Sequence, residues 1–203
     1  MITVIAGVNG AGKSSIAGAR LRSTGGDYFN PDEVARSLMD ATSTLSLTEA
    51  NATAWRMGFD QLSRAIDEQQ DYTIETTLGG NSICQLLHDA IDRNQDVRIF
   101  FCGLASPELH IKRVAARVAK GGHDIPSAKI RERWIGTIHN LLGLIPRCAA
   151  VIVYDNSAPA DNGGPHPVCL FSLQGGNFNR LPVEPMPEWA KPLASAAIKR
   201  VLG

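Results

Sequence analysis

The chain has no net charge, no long hydrophobic run, no paired cysteines and no internal repeat. Acids and bases balance at 20 each, so no global field draws the protein toward nucleic acid or an anionic membrane surface. No apolar run approaches the roughly 20 residues of a membrane-spanning helix. Met1 leads straight into the strand-like run Ile2 to Ala6 without a basic lead or cleavage site, which predicts an unexported, cytoplasmic protein. Cys84, Cys102, Cys148 and Cys169 are widely spaced and form no CxxC pair, a pattern of buried structural thiols rather than a metal site. What the chain does have is 203 residues, 44% of them apolar, enough for one core and one domain over residues 1–203.

Short runs rich in β-branched or aromatic residues at 2–6, 72–76, 97–102 and 149–154 read as buried strands. Between them, Lys13–Arg22, Gly80–Asn94, Pro107–Lys120 and Ser127–Leu144 read as helices, and Ser46 with Glu49 forms a capping box ahead of a helix to about Gln70. This alternation predicts an α/β fold, a mainly parallel sheet of the P-loop NTPase type with helices on both faces. After Tyr154 the texture changes. Residues 156–167 are rich in turn formers, and VCLFSL, a Gly-Gly-Asn turn and FNRL then predict a hairpin, followed by a terminal helix from about Glu188. The hairpin and helix occupy about residues 168–203.

The stretch GVNGAGKS, Gly7 to Ser14, fits GxxxxGK[S/T] and lies between a predicted strand and a predicted helix, the context this motif requires. A chance match of its fixed positions in a chain of this length is on the order of one in a hundred before context is applied. Gly7, Gly10 and Gly12 let the backbone bend close to phosphates, and the amides from Asn9 and Ala11 to Ser15 point toward the positive end of the following helix. Lys13 is positioned for the β- and γ-phosphates, and Ser14 offers its hydroxyl to magnesium. The cofactors implied are ATP, or another nucleoside triphosphate, and Mg²⁺.

Two carboxylates lie where strands end. Asp27-Tyr28-Phe29 reads as a short second strand, and Asn30-Pro31-Asp32-Glu33 then opens a helix. Asp32 thus has two readings, a first-turn acid beneath the Asn30 cap and a base that orients a substrate hydroxyl at the sheet's carboxyl edge. Glu75, Thr76 and Thr77 end the strand YTIET. A glutamate there needs a partner: a substrate hydroxyl, magnesium-bound water or an arginine, unless it is solvated beside two capping threonines.

From Pro107 onward, Ile111, Val114, Ala115 and Val118 make an apolar helix face, while His110, Arg113, Arg117 and Lys120 make a basic stripe. Gly121-Gly122 stops the helix, His123 lies in the turn, and Arg131 and Arg133 come early in the next helix. The pattern fits a lid over about residues 107–134 that brings arginine charge to the phosphates, and it equally fits two solvated helix faces.

Together the landmarks VIAGVNGAGKSS, FNPDEVAR, IETTLGG, SPELHIKRVAARVAKGGHDIPSAKIRERW and VYDNS, in order over residues 2–157, resemble the zeta-toxin-like P-loop kinases, especially a small branch labelled predicted ABC-type ATPase. Zeta toxins phosphorylate a sugar hydroxyl of UDP-N-acetylglucosamine. The resemblance implies a kinase acting on a small-molecule acceptor, with an antitoxin protein as a possible partner. It makes Asp32 the base, with Asn30 beside it, Glu75 and Thr77 the substrate-side pair with Thr76 between them, and Arg117 a lid arginine. His123 falls where the toxins place a second lid arginine, so Arg133 or Arg131 would supply that charge. The chain is also shorter than those toxins. At 151–155, VIVYD has the look of a Walker B strand, but no glutamate follows Asp155; the resemblance instead puts Asn156 and Ser157 near the nucleotide base, and a strand-ending turn is a third reading. Other functions compatible with the sequence are a kinase for a nucleoside, an antibiotic or a nucleic-acid end, and a nucleotide-regulated binding module.

Overall fold

A computed structural model describes residues 1–42, 44–122, 124–159 and 166–203. Among these residues one sheet contains β1 (Ile2–Ala6), β2 (Tyr72–Thr76), β3 (Val97–Gly103), β4 (Ala150–Asp155), β5 (Val168–Gln174) and β6 (Asn177–Arg180) in the order β2-β1-β3-β4-β5-β6. The first four strands are parallel, and β5 and β6 add an antiparallel hairpin. The chain runs from β1 outward to β2 and then back across to β3, so the strand order reverses at β1. A crevice opens at the carboxyl end of such a strand.

Strand side chains alternate between two buried faces. Val4, Ile99, Phe101 and Val153 pack with Leu62, Leu87, Leu141 and Ala194 from α3 (Leu47–Asp67), α4 (Asn81–Asp92), α6 (Ser127–Leu144) and α7 (Lys191–Leu202). Ile5 and Cys102 alternate with that set and are also buried. A smaller cluster of Val8, Val114, Ile125 and Ile130 joins the loop after β1 to α5 (Pro107–Val118) and α6. The expected mainly parallel sheet, terminal hairpin and last helix are all present.

Local signals account for several boundaries. Asn30 caps α2 (Pro31–Ala41), its Oδ1 accepting the Asp32 amide at 3.0 Å, and the Ser46–Glu49 capping box opens α3 with both of its reciprocal bonds. Two expectations change. The strand expected at 27–29 shrinks to one parallel bridge between Phe29 and Ile74, because Asn30 and Pro31 turn the chain into α2 immediately. The helix expected over Lys13–Arg22 opens as a widened π-turn at Ser14–Gly18 before α1 (Ala19–Ser23). Gly18 lies in that turn against Tyr28, whose Oη would be 2.2 Å from a Cβ there.

Candidate functional site

The loop from Gly7 to Ser14 leaves β1 at the crevice, and its shape depends on glycine. Gly7, Gly10 and Gly12 have φ of +146°, +82° and +90°, values that side-chain-bearing residues rarely adopt. A Cβ on Gly7 would lie 2.2 Å from the Cys102 carbonyl oxygen. Side chains from distant parts of the chain hold the loop from beneath. The Asn156 amide donates to the Ala11 carbonyl at 2.9 Å, where the Cys102 thiol also donates at 3.1 Å. His110 Nδ1 lies 2.9 Å from the Asn9 carbonyl; a carbonyl only accepts, so this nitrogen carries the proton.

This arrangement corrects one expectation. His110 is not part of a solvent-facing basic stripe: it is buried, and burial, reinforced by the charges of Lys13 and Arg113, lowers its pKa to about 4. The ring is therefore neutral near pH 7. Asn156, expected near the nucleotide base, is also buried and braces the loop through the Ala11 carbonyl. Arg113 secures that brace by donating to the carbonyls of Asn156 at 2.6 Å and Ala158 at 3.0 Å. Asp155 accepts from the backbone amide and hydroxyl of Ser157, the strand-ending turn among its three readings.

Lys13 and Glu75 are both buried beside the loop. Their charged atoms are 3.6 Å apart, and Ser14 Oγ donates to the other Glu75 oxygen at 2.8 Å. Parallel pairing sets this contact, since Ile5 and Ala6 of β1 lie beside Glu75 and Thr76 of β2. Glu75 therefore meets the phosphate loop itself. The Thr76 and Thr77 hydroxyls accept the amides of Leu78 and Gly79 and shape the next turn rather than capping α4, whose N-cap is Gly80. Thr137 and Asn140 of α6 tie down that turn by donating to the carbonyls of Thr77, Leu78 and Gly80.

A cleft of about 530 Å³ extends from this cluster. Its walls include Asn9, Lys13, Asn30, Asp32, Glu75, Thr76, Thr77 and Arg133, and on α3 Thr48, Asn51 and Trp55. Arg133 donates to Asn9 Oδ1 at 2.7 Å, and burial pushes its pKa below the usual arginine value, opposed by Asp32 and Glu132. Arg117 comes within 4.0 Å of Asp32. Arg131 does not join them: it is exposed and pairs with Glu108 at 3.3 Å, because a two-residue step turns a helix by about 200° and cannot place both arginines in one cleft. Ser15 is exposed at the start of the π-turn and Ala11 is buried in the loop. His123 lies outside the described residues. A second hollow of about 570 Å³ along the outer edge of β2 shares Asn30 but includes no residue of the phosphate loop.

Sequence reasoning passed over His110 as a brace, the α6 ties through Thr137 and Asn140, and the α3 wall. One signal for His110 was present: it precedes Val114 by four residues and so shares its inward helix face. For Trp55, spacing alone offered none.

Comparison with known proteins identifies a family model described as an AAA domain, which matches residues 2–133. An uncharacterized protein of Haemophilus influenzae is 30% identical over 132 residues, 63% of this chain and 88% of that protein. Among solved structures, the AvrRxo1-ORF1:AvrRxo1-ORF2 complex with ATP aligns over 97% of this chain at a TM-score of 0.64 and 16% identity. This chain spans 63% of the length of the matched AvrRxo1 chain. The PezAT chromosomal toxin–antitoxin system of Streptococcus pneumoniae aligns over 98% of this chain and 84% of its own at a TM-score of 0.56 and 14% identity. At these identities the structural likeness is one of fold.

Proposed function

The chain belongs to the AAA domain family, and on that premise we propose that it is an ATP- and magnesium-dependent phosphotransferase that passes the γ-phosphate to a hydroxyl group of a small molecule. One observation carries the reading. The phosphate loop opens into a cleft of about 530 Å³ where Lys13, Glu75, Asp32 and Arg133 converge, a volume within the usual range of small-molecule sites.

Each residue then has a role. The loop amides and Lys13 bind the phosphates. Ser14 and Glu75 are hard oxygen donors suited to magnesium, which takes few protein ligands and completes its shell with water and phosphate; these two would hold it. Magnesium there would spread the charge of the transferring phosphoryl group. Asp32 orients the acceptor hydroxyl and takes its proton as the new O–P bond forms and the bond to the β-phosphate oxygen breaks. Arg133, with Arg117 beside Asp32, supplies positive charge where the phosphoryl oxygens gather it. Closure of residues 107–134 over the nucleotide would exclude water.

The finer reading is a zeta-toxin-like kinase with a nucleotide sugar such as UDP-N-acetylglucosamine as acceptor, supported by the ordered motifs over residues 2–157. PezAT is by its description a toxin–antitoxin system, and its fold likeness makes an antitoxin protein a partner to test. The test of the general reading is incubation with γ-labelled ATP, magnesium and a metabolite extract. A labelled small-molecule phosphomonoester formed by the wild type and absent with Lys13→Ala supports it. Release of inorganic phosphate alone removes it.

A further inference from the structure

We propose that Trp55 is the platform on which the ring of the acceptor stacks, making it a substrate-positioning residue of the cleft. The name acceptor rests on the phosphotransfer reading; the presence of a ring-binding wall does not.

Helix α3 divides its residues sharply. Ala50, Ala54, Gly58 and Leu62, four apart, are buried. Leu47, Thr48, Asn51 and Trp55 instead line the cleft. Trp55 remains 48% exposed, with its ring stacked on Phe59 at 5.4 Å between centroids and 23° between planes. Phe59 itself packs against the main core, so the indole is held in a set orientation while much of it stays open. An aromatic ring so presented stacks on a nucleobase or on the flat face of a sugar, with little conformational freedom to lose on binding. Asn51, one turn earlier on the same wall, carries both a donor and an acceptor for the edge of such a ring.

The platform is also fixed relative to the reacting groups. A Cβ on Gly58 would lie 2.6 Å from the Phe29 ring, so α3 sits directly against Phe29. Phe29 in turn hydrogen-bonds β2, donating to the Thr73 carbonyl at 2.9 Å and accepting the Glu75 amide at 2.8 Å. Asp32 follows three residues later. Trp55, Asp32 and Glu75 thus belong to one packed unit, and a ring lying on Trp55 shares one cleft with the two carboxylates. Such rigid placement of a substrate is worth more in rate than the contact itself contributes to affinity.

The experiment is ligand-observed NMR with adenosine, uridine and N-acetylglucosamine on the wild type, Trp55→Ala and Trp55→Phe. It is run with and without a non-hydrolysable ATP analogue, and only binding that persists with the analogue is scored, which clears the nucleotide's own site. The exposed position of Trp55 leaves the fold intact in both variants, with thermal melting as the check. One ring class is expected to bind, to weaken at least about fivefold in Trp55→Ala and to return to within about twofold in Trp55→Phe. Nucleoside binding identifies a planar heterocycle; N-acetylglucosamine binding identifies a pyranose. Binding of neither class to the wild type, or undiminished binding to Trp55→Ala, overturns the proposal. Calorimetry with ATP reports separately on the phosphate loop, so failure of the phosphotransfer reading is seen there.

Discussion

Replacing Glu75 with Gln separates two states of the phosphate loop. Without nucleotide, the Glu75 carboxylate lies 3.6 Å from the Lys13 ammonium and accepts the Ser14 hydroxyl at 2.8 Å, with both charged side chains 8% exposed. At an effective dielectric constant of about 20, the attraction at this distance is roughly 5 kcal/mol. Removing one partner of such a buried pair typically costs about 3–5 kcal/mol, because the other charge stays behind. At about 2–4 °C per kcal/mol for a chain of this size, the nucleotide-free variant should melt about 6–20 °C lower. A bound triphosphate supplies new negative charge to Lys13, so the complex loses less than the free protein. The difference appears as affinity: magnesium-free ATP should bind Glu75→Gln at least about tenfold more tightly, since each 1.4 kcal/mol is a factor of ten. Magnesium-dependent transfer should fall, because the carboxylate beside Ser14 is gone. Calorimetry with ATP in EDTA and thermal melting read both effects. Unchanged melting together with unchanged or weaker magnesium-free binding would refute the idea that Glu75 holds Lys13 in reserve.

His110 titrates at about 4 in the fold against about 6.5 unfolded, so the unfolded chain binds more protons between these values. Stability is then fully present above pH 6.5 and lost as pH falls toward 4, by about 3 kcal/mol in all; His110→Gln should flatten this part of the melting profile, and parallel profiles would exclude the burial argument. Gly7→Ala should abolish nucleotide binding, since its Cβ would meet the Cys102 carbonyl at 2.2 Å in a backbone conformation alanine rarely adopts; calorimetry showing wild-type affinity would contradict it. Arg133→Ala should leave ATP affinity within about threefold and lower kcat by tenfold or more, with Arg133→Lys recovering only part of the rate because lysine lacks the two-pronged guanidinium. A matching loss of affinity and rate would make Arg133 a ground-state contact.

The phosphate loop was legible because its demands are local: glycines at the positions with positive φ, lysine and serine at the helix start, and a strand before them. The same holds for the Asn30 cap and the Ser46–Glu49 box, which are bonds between near neighbours. The braces beneath the loop were not legible. Asn156 meets Ala11 across 145 residues, and no local pattern records that pairing. His110 satisfied two helical spacings at once, with the arginines and with Val114, and burial resolved what spacing left open. Arg131 and Arg133 were both offered as lid cations because their charges are alike, yet helical geometry admits only one to the cleft. Glu75 was recognised as a carboxylate in need of a partner, but only the register of β1 against β2 revealed that its partners are Lys13 and Ser14.

The central claim is that Asp32 acts on an acceptor hydroxyl in a cleft shared with the nucleotide, and Asp32→Asn tests it most directly. Asn30 Oδ1 accepts the Asp32 backbone amide, so the substitution preserves the helix cap, and loss of one first-turn charge costs only about 1 kcal/mol or less. The measurement is single-turnover transfer from γ-labelled ATP to the acceptor recovered from metabolite extract, with ATP affinity determined on the same preparation. The expected result is ATP binding within about twofold of wild type and transfer slowed about a hundredfold or more. Transfer at the wild-type rate, accompanied by a lowered melting temperature, would make Asp32 a structural acid of α2 and contradict the account.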